Sequence, residues 1–195
     1  WISCEKSRNY VQTMRNTYSA ILTGINTVIS DNPRLTVRIQ NGRNPIRIIA
    51  DSCLRIDENA NVLKLENNDR CIIAVTDKAD GEKIKRLQDK GTEIIKVAEK
   101  NGHINLAHLM DILGDMKIDS VLIESGGELN FSALQEGIVD KVVAFIAPKI
   151  IGGRDAKTFV EGKGFEKVND CVELENMNYQ LIDNDIMVTA YVKKR

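Results

Sequence analysis

Val121-Leu122-Ile123-Glu124-Ser125-Gly126-Gly127-Glu128-Leu129 is the stretch on which the reading of this chain turns. Three consecutive aliphatic residues read as a strand buried on both faces, the habit of parallel strands. A carboxylate and two glycines follow, and a helical spacing sets in with Leu129, Ala133 and Leu134. Strand, glycine turn and helix together direct backbone N–H groups and a positive helix end at a phosphate. Many such turns merely connect elements, so the neighbours decide. Downstream, Lys141-Val142-Val143-Ala144-Phe145-Ile146-Ala147 is a second apolar strand, ending in Pro148-Lys149-Ile150-Ile151-Gly152-Gly153. The two glycine-punctuated strand ends, one helix apart, are expected side by side at one edge of a sheet.

Upstream, strand and helix patterns alternate. Ser3 is placed to cap a helix running to about Thr17, followed by a short strand Ala20-Ile21-Leu22-Thr23 closed by Gly24. Thr27 to Ser30 reads as a brief helix stopped at Asn32-Pro33, because the residue before proline avoids the helical region. Leu35-Thr36-Val37-Arg38 reads as extended, Ile46 to Ala50 as a strand ending in Asp51-Ser52, and Ile56 to Arg70 as a loop with a turn of helix. Cys71–Val75 and Glu93–Val97 are strands, and Glu82–Lys90 and Asn105–Met116 are amphipathic helices. After Gly164 the pattern changes to short strands at Val172–Met177, Tyr179–Asp183 and Ile186–Val192, the last two joined through Asn184-Asp185 as an antiparallel hairpin. The fold class expected is α/β, one domain, with a mostly parallel sheet, a mixed edge and a C-terminal antiparallel hairpin.

A length of 195 residues suffices for a sizeable core. With 27 basic and 28 acidic residues there is no global field to favour nucleic acid or a membrane surface. No run of about 18 apolar residues exists to form a transmembrane helix. The four cysteines are scattered and read as small buried hydrophobes of a reducing, cytoplasmic setting. His103 and His108 do not share a helix face, so no metal site is expected. The chain opens at Trp1 without a methionine, and an upstream segment is expected.

In open α/β sheets ligands bind at the carboxyl ends of the strands. Those ends collect Thr23-Gly24 leading to Thr27 and Asp31, then Asp51-Ser52, Thr76-Asp77, Glu124-Ser125-Gly126-Gly127 and Ala147-Pro148. The rim suits a phosphate-bearing nucleotide with a polar substrate. The Gly-x-Gly-x-x-Gly fingerprint, the Gly-x-Ser-x-Gly elbow and the Walker motif do not occur. Arg15, Arg34 and Arg38 bracket the Thr27–Asp31 segment, either as solvated cations or as forks on a substrate phosphate. Asp31 either caps the Asn32-Pro33 turn or acts in the site. Glu124, at the end of an apolar strand, must be paired or ligand-facing.

Trp1-Ile2-Ser3, Arg15, and the run from Ala20 to Arg38 containing Thr27-Val28-Ile29-Ser30-Asp31-Asn32-Pro33-Arg34-Leu35-Thr36-Val37-Arg38 resemble the reductase domain of riboflavin biosynthesis. That domain is usually the C-terminal half of a bifunctional diaminohydroxyphosphoribosylaminopyrimidine deaminase / 5-amino-6-(5-phosphoribosylamino)uracil reductase. Pro45 to Ser52, Glu124 to Asn130 and Ile146 to Gly153 continue the resemblance in order, over nearly the whole chain. It implies a dihydrofolate-reductase-like fold using NADPH. It also implies that Trp1, Thr27, Asp31, Ser52 and the run Gly126, Gly127, Glu128, Leu129, Asn130, Phe131 and Ser132 face the cofactor. Arg15, Leu35, Arg38 and Glu124 would then face a phosphorylated pyrimidine ribosylamine.

Hydride would pass to C1′ of the opened ribosylamine, with Asp31 and Glu124 as candidates for proton handling. Ser125 stands where a glycine is common, and Gln12 and Ser19 replace a frequent histidine and aspartate. The family's first strand and its zinc deaminase half, both expected upstream of Trp1, lie outside residues 1–195. A homodimer is implied too. A pterin reductase and a nucleotide-binding regulatory domain are the rival readings.

Overall fold

A computed structural model of the chain describes residues 1–66, 68–153 and 156–194. Helix α1 (Glu5–Thr17) leads into strand β1 (Ala20–Gly24), the short helix α2 (Ile25–Asp31) and β2 (Ile46–Ala50). Next come β3 (Cys71–Val75), α3 (Gly81–Asp89), β4 (Glu93–Lys96) and a small ribbon of β5 (Glu99–Lys100) and β6 (His103–Ile104). The chain continues through α4 (Leu106–Asp115), β7 (Val121–Ile123), α5 (Gly127–Gln135), β8 (Lys141–Ile146), β9 (Leu174–Ile182) and β10 (Asp185–Val192).

Five strands form a wholly parallel sheet in the order β4-β3-β2-β1-β7. Side chains alternate across it. Ile21, Ile49 and Ile73 point into one apolar cluster with Val28, Leu35, Leu54 and Leu87. Leu22, Ile48 and Ile72 point into a second with Leu106, Leu109, Leu113 and Ala133. Both faces are thus covered, and the runs Ile46–Ala50 and Cys71–Val75 are apolar with little alternation for that reason, except at Arg47, which is buried and paired with Asp69. Burial pushes the Cys71 thiol up to about 12.

The expected class holds, a mostly parallel sheet flanked by helices with antiparallel strands at the C-terminus, and several details differ. Strand β7 lies at the edge of the parallel sheet, and its residues are half-buried rather than enclosed on both faces. Strand β8 is not its neighbour: it pairs antiparallel with β10 of the C-terminal hairpin in a separate sheet ordered β8-β10-β9. The antiparallel strands therefore form a sheet of their own instead of a mixed edge. Among the described residues, the second edges of β7 and β8 have no strand partner.

Helix α1 is capped by Cys4 rather than Ser3, the Cys4 Sγ accepting from the Ser7 N–H at 3.4 Å. That cap is held by Asp185 at the start of β10, whose Oδ2 accepts from the Cys4 N–H at 2.7 Å and the Ser7 hydroxyl at 2.6 Å. The same two donors keep the Asp185 carboxyl below the usual range. Leu35 is not extended but left-handed, with φ 54°, a turn that buries its side chain. The separate strand expected at Val172–Met177 and the expected first arm of the hairpin, Tyr179–Asp183, are one strand, β9, which stays continuous because Asn176 (φ 52°) absorbs an irregularity in an exposed edge strand. The hairpin turn is Asp183-Asn184, one residue earlier than expected, leaving Asp185 in the strand. Cys53 is exposed, so the cysteines are not uniformly buried hydrophobes.

Candidate active site

The parallel order brings the carboxyl ends of β2, β1 and β7 into one row, and most of the candidate residues lie there. Glu124 follows β7 directly, its N–H donating to Leu22 O at 3.0 Å. Arg15, in the last turn of α1, grips it as a fork: Nε donates to Oε2 at 2.8 Å and Nη2 donates to Oε1. The remaining terminal nitrogen of Arg15 donates to Thr36 O at 3.0 Å, so one guanidinium joins β7 to the segment that carries Leu35 and Arg38. The Arg15 side chain is only 12% exposed and Glu124 35%. A bidentate pair of this kind fixes direction as well as charge.

Next to Glu124 the chain turns through Ser125 into α5. Ser125 Oγ accepts from the Gly24 N–H at 2.9 Å, and Thr27 Oγ1 accepts from the Gly126 N–H at 3.2 Å. These two bonds sew the α5 start to the β1–α2 junction. The α5 cap residue Gly126 has no side chain to satisfy the helix's first N–H groups, which leaves them for an acceptor from outside. A Cβ built on Gly126 would meet nothing nearer than Thr27 Oγ1 at 3.7 Å, so there is room over this turn. Uncapped N–H groups, two hydroxyls and open space fit a dinucleotide phosphate.

The rest of the α5 run is bound up in the protein itself. Gly127 O accepts from the Glu161 N–H at 3.0 Å. Asn130 Nδ2 donates to Ser125 O and Phe159 O, at 3.3 and 2.8 Å. Phe131 is buried and meets Phe165 edge-on at 5.3 Å, and Ser132 Oγ donates back to Glu128 O. Leu129 packs into the core and Glu128 is exposed. The segment from Thr158 to Phe165 thereby straps the α5 start.

Thr27 and Asp31 lie one helical turn apart on α2 and share a face. Asp31 is exposed and accepts from Ser30 Oγ at 2.7 Å, while the turn after α2 is made by Asn32 (φ 41°), whose side chain accepts from the Asn61 N–H. Ser52 is half-buried, its carbonyl accepting from Thr76 N and Oγ1 at 3.1 and 2.9 Å. Arg38 is exposed, its backbone N–H held by Gln12 Oε1 at 2.9 Å. Trp1 is 91% exposed under the Arg8 guanidinium, and its carbonyl accepts from Lys149 Nζ at 2.8 Å. Among the described residues no group of His, Cys, Asp and Glu is arranged to hold a metal ion.

Sequence reasoning named Asp51 and Ser52 at the end of β2 but missed the loop that follows them. Asp51 is wholly buried, with Oδ2 accepting from the Ile56 N–H at 2.8 Å, and Leu54 is left-handed with φ 55° yet buried. Arg55 leaves this loop to reach Asn26 Oδ1 at 2.7 Å. A basic residue five positions beyond the end of β2 was the one available signal.

The family model for the RibD C-terminal domain matches residues 1–188. A riboflavin biosynthesis protein RibD from Actinobacillus pleuropneumoniae is 39% identical over 192 residues, covering 98% of this chain and 51% of that protein. The 2,5-diamino-6-ribosylamino-4(3H)-pyrimidinone 5′-phosphate reductase of Methanothermobacter thermautotrophicus is 36% identical over 197 residues, covering 98% of this chain and 88% of that protein. Among solved structures, Acinetobacter baumannii RibD superimposes with a TM-score of 0.82 at 25% identity, over 99% of this chain and 52% of that one. The chain thus spans about half the length of the RibD proteins it matches. It belongs to the RibD C-terminal domain family.

Proposed function

We propose that this chain is an NADPH-dependent reductase of a phosphorylated pyrimidine ribosylamine, 5-amino-6-(5-phosphoribosylamino)uracil, giving the ribitylamino product. The observation that carries the reading is the rim itself. An uncapped α5 start tied to Thr27 lies directly beside a carboxylate gripped by Arg15. Phosphate recognition and polar substrate recognition meet there in consecutive residues, and the family and the names of its members agree with a reductase.

When bound, the nicotinamide supplies hydride for C1′ of the opened sugar. The protein's part is position. Thr27, Ser52 and the Gly126 turn hold the cofactor, and Trp1 borders it. Glu124, fixed by Arg15, accepts hydrogen bonds from the substrate and so sets its orientation. Arg38, with Leu35 anchoring its segment in the core, takes the substrate phosphate. Asp31 is the exposed carboxylate on the Thr27 face of α2 and is assigned, with Glu124, to proton handling. In the intact protein a zinc deaminase domain precedes this chain, the reductase domains pair as a homodimer, and the enzyme works in the cytoplasm.

Loss of NADPH absorbance on adding the pyrimidine substrate tests the reading. Two substrates should be compared, the uracil and its 2,5-diamino-pyrimidinone counterpart, because the archaeal relative is named for the latter. Turnover of a pterin without a sugar phosphate would favour a pterin reductase, and NADPH binding without oxidation of either pyrimidine would favour a regulatory domain.

A further inference from the structure

We propose that Arg55 reads the adenosine 2′-phosphate by which NADPH differs from NADH; this rests on the cofactor reading above. Basic residues at or beyond the ends of β2, β3 and β4 include Arg55, Lys78, Lys83 and Lys96. Lys78 is neutralised by Glu99 at 2.7 Å and Lys96 by Asp77 at 2.8 Å. Lys83 Nζ is turned inward onto Leu54 O and Ile56 O, at 2.8 and 2.5 Å. Arg55 is exposed, has no ion pair among the described residues, and makes one hydrogen bond, to the neutral side chain of Asn26. Of these four cations it alone keeps its charge and most of its fork available, and a guanidinium fork matches a phosphate dianion.

The loop that presents Arg55 is held from several sides. Leu54 N donates to Asp51 O, Ile56 N to Asp51 Oδ2, and Thr76 N and Oγ1 to Ser52 O. Lys83 closes it from α3. A buried leucine at φ 55° persists only where the surroundings over-determine it, and here they fix which way Arg55 leaves the surface.

Arg55 also stands in register with the phosphate turn. Asn26 and Thr27 are consecutive in the first turn of α2: Asn26 meets Arg55, and Thr27 meets the Gly126 N–H. Strand β1 alone separates β2 from β7, so the two anion positions are about two strand spacings, roughly 10 Å, apart. One nucleotide bridges that distance, with its second phosphate on the Ser52 and Arg55 side.

The test is calorimetric titration of the folded chain with NADPH, NADH, 2′,5′-ADP and 5′-AMP, with no turnover required. Arg55→Gln should weaken NADPH and 2′,5′-ADP at least about 30-fold and leave NADH and 5′-AMP within twofold, those two also reporting that the site is intact. Arg55→Lys, which keeps charge without the fork, should fall between. A preference for NADPH that survives Arg55→Gln overturns this proposal while leaving the cofactor reading standing. Failure of the unaltered chain to bind either dinucleotide overturns both.

Discussion

Arg15 and Glu124, 109 residues apart in the sequence, form one bidentate ion pair that also clasps the Thr36 carbonyl. The pair turns an α1 cation into a brace between β7 and the segment bearing Arg38. Most of the Arg15 fork is thereby engaged by protein groups, while Glu124 stays partly exposed and Arg38 exposed.

Breaking this brace should cost stability as well as activity. Arg15→Ala removes charge-assisted hydrogen bonds worth about 1.5–3 kcal/mol each, and the partial exposure of Glu124 places the expected loss near the lower figure. In urea titrations, Arg15→Ala and Glu124→Ala should each be destabilised, and the double variant should lose less than the sum, with a coupling of at least about 0.5 kcal/mol. Strictly additive losses would refute the coupling.

Gly126→Val is expected to fold, since its side chain enters open space at an ordinary backbone conformation (φ −70°, ψ 165°). It should nonetheless weaken NADPH binding at least about tenfold, or roughly 1.4 kcal/mol. Gly127→Ala is the contrast, because a Cβ there would lie 2.5–2.8 Å from Glu161 and force the strap away. Equal NADPH affinity in wild type and a well-folded Gly126→Val would remove the α5 start from the cofactor site.

Arg38→Ala should raise the substrate constant by the worth of one charge-assisted contact, about 1.5–3 kcal/mol, with NADPH affinity unchanged. Separate titrations with each ligand decide it. A collapse of cofactor binding with substrate binding intact would reverse the assignment of Arg38.

The Asp185 latch on the α1 cap makes stability depend on acid. Its carboxyl titrates lower in the folded chain than in the unfolded one, through the Ser7 hydroxyl and the Cys4 N–H. Between the two pKa values the unfolded chain binds more protons, so the contribution is complete above the unfolded carboxylate value, about 3.9, and fades as pH falls through the folded value. Melting curves of wild type and Asp185→Asn should therefore differ most near neutrality and converge in strong acid. A gap that widens on acidification would contradict the latch.

Among the described residues the second edges of β7 and β8 carry no strand. Hydrogen exchange in residues 1–195 should be fast at both edges, and the chain should self-associate through them. An extension upstream of Trp1 that supplies the strand should slow exchange at both edges together and raise NADPH affinity. Protection of both edges in the unextended chain at low concentration would argue against it.

The sequence by itself determined most of the strands and helices of this protein, though not its turns, such as the left-handed Leu35. The apolar run Cys71–Val75, and Ile46–Ala50 with Arg47 as its one charged residue, read as strands covered on both faces, and the spacing of Leu106, Leu109 and Leu113 as a helix packed on one side. The strand–glycine–helix order at Val121–Leu129 likewise located the turn that opens α5, because helix ends and glycines act over a few residues. Only the tertiary structure decided that β7 is an edge, that β8 belongs to another sheet, that Cys4, held by Asp185, caps α1 in Ser3's place, and that Arg15 faces Glu124. It also decided the direction of Arg55. Each of these depends on which distant segment supplies a strand edge or the opposite charge. Periodicity records only whether a side chain points inward, and not what it meets there.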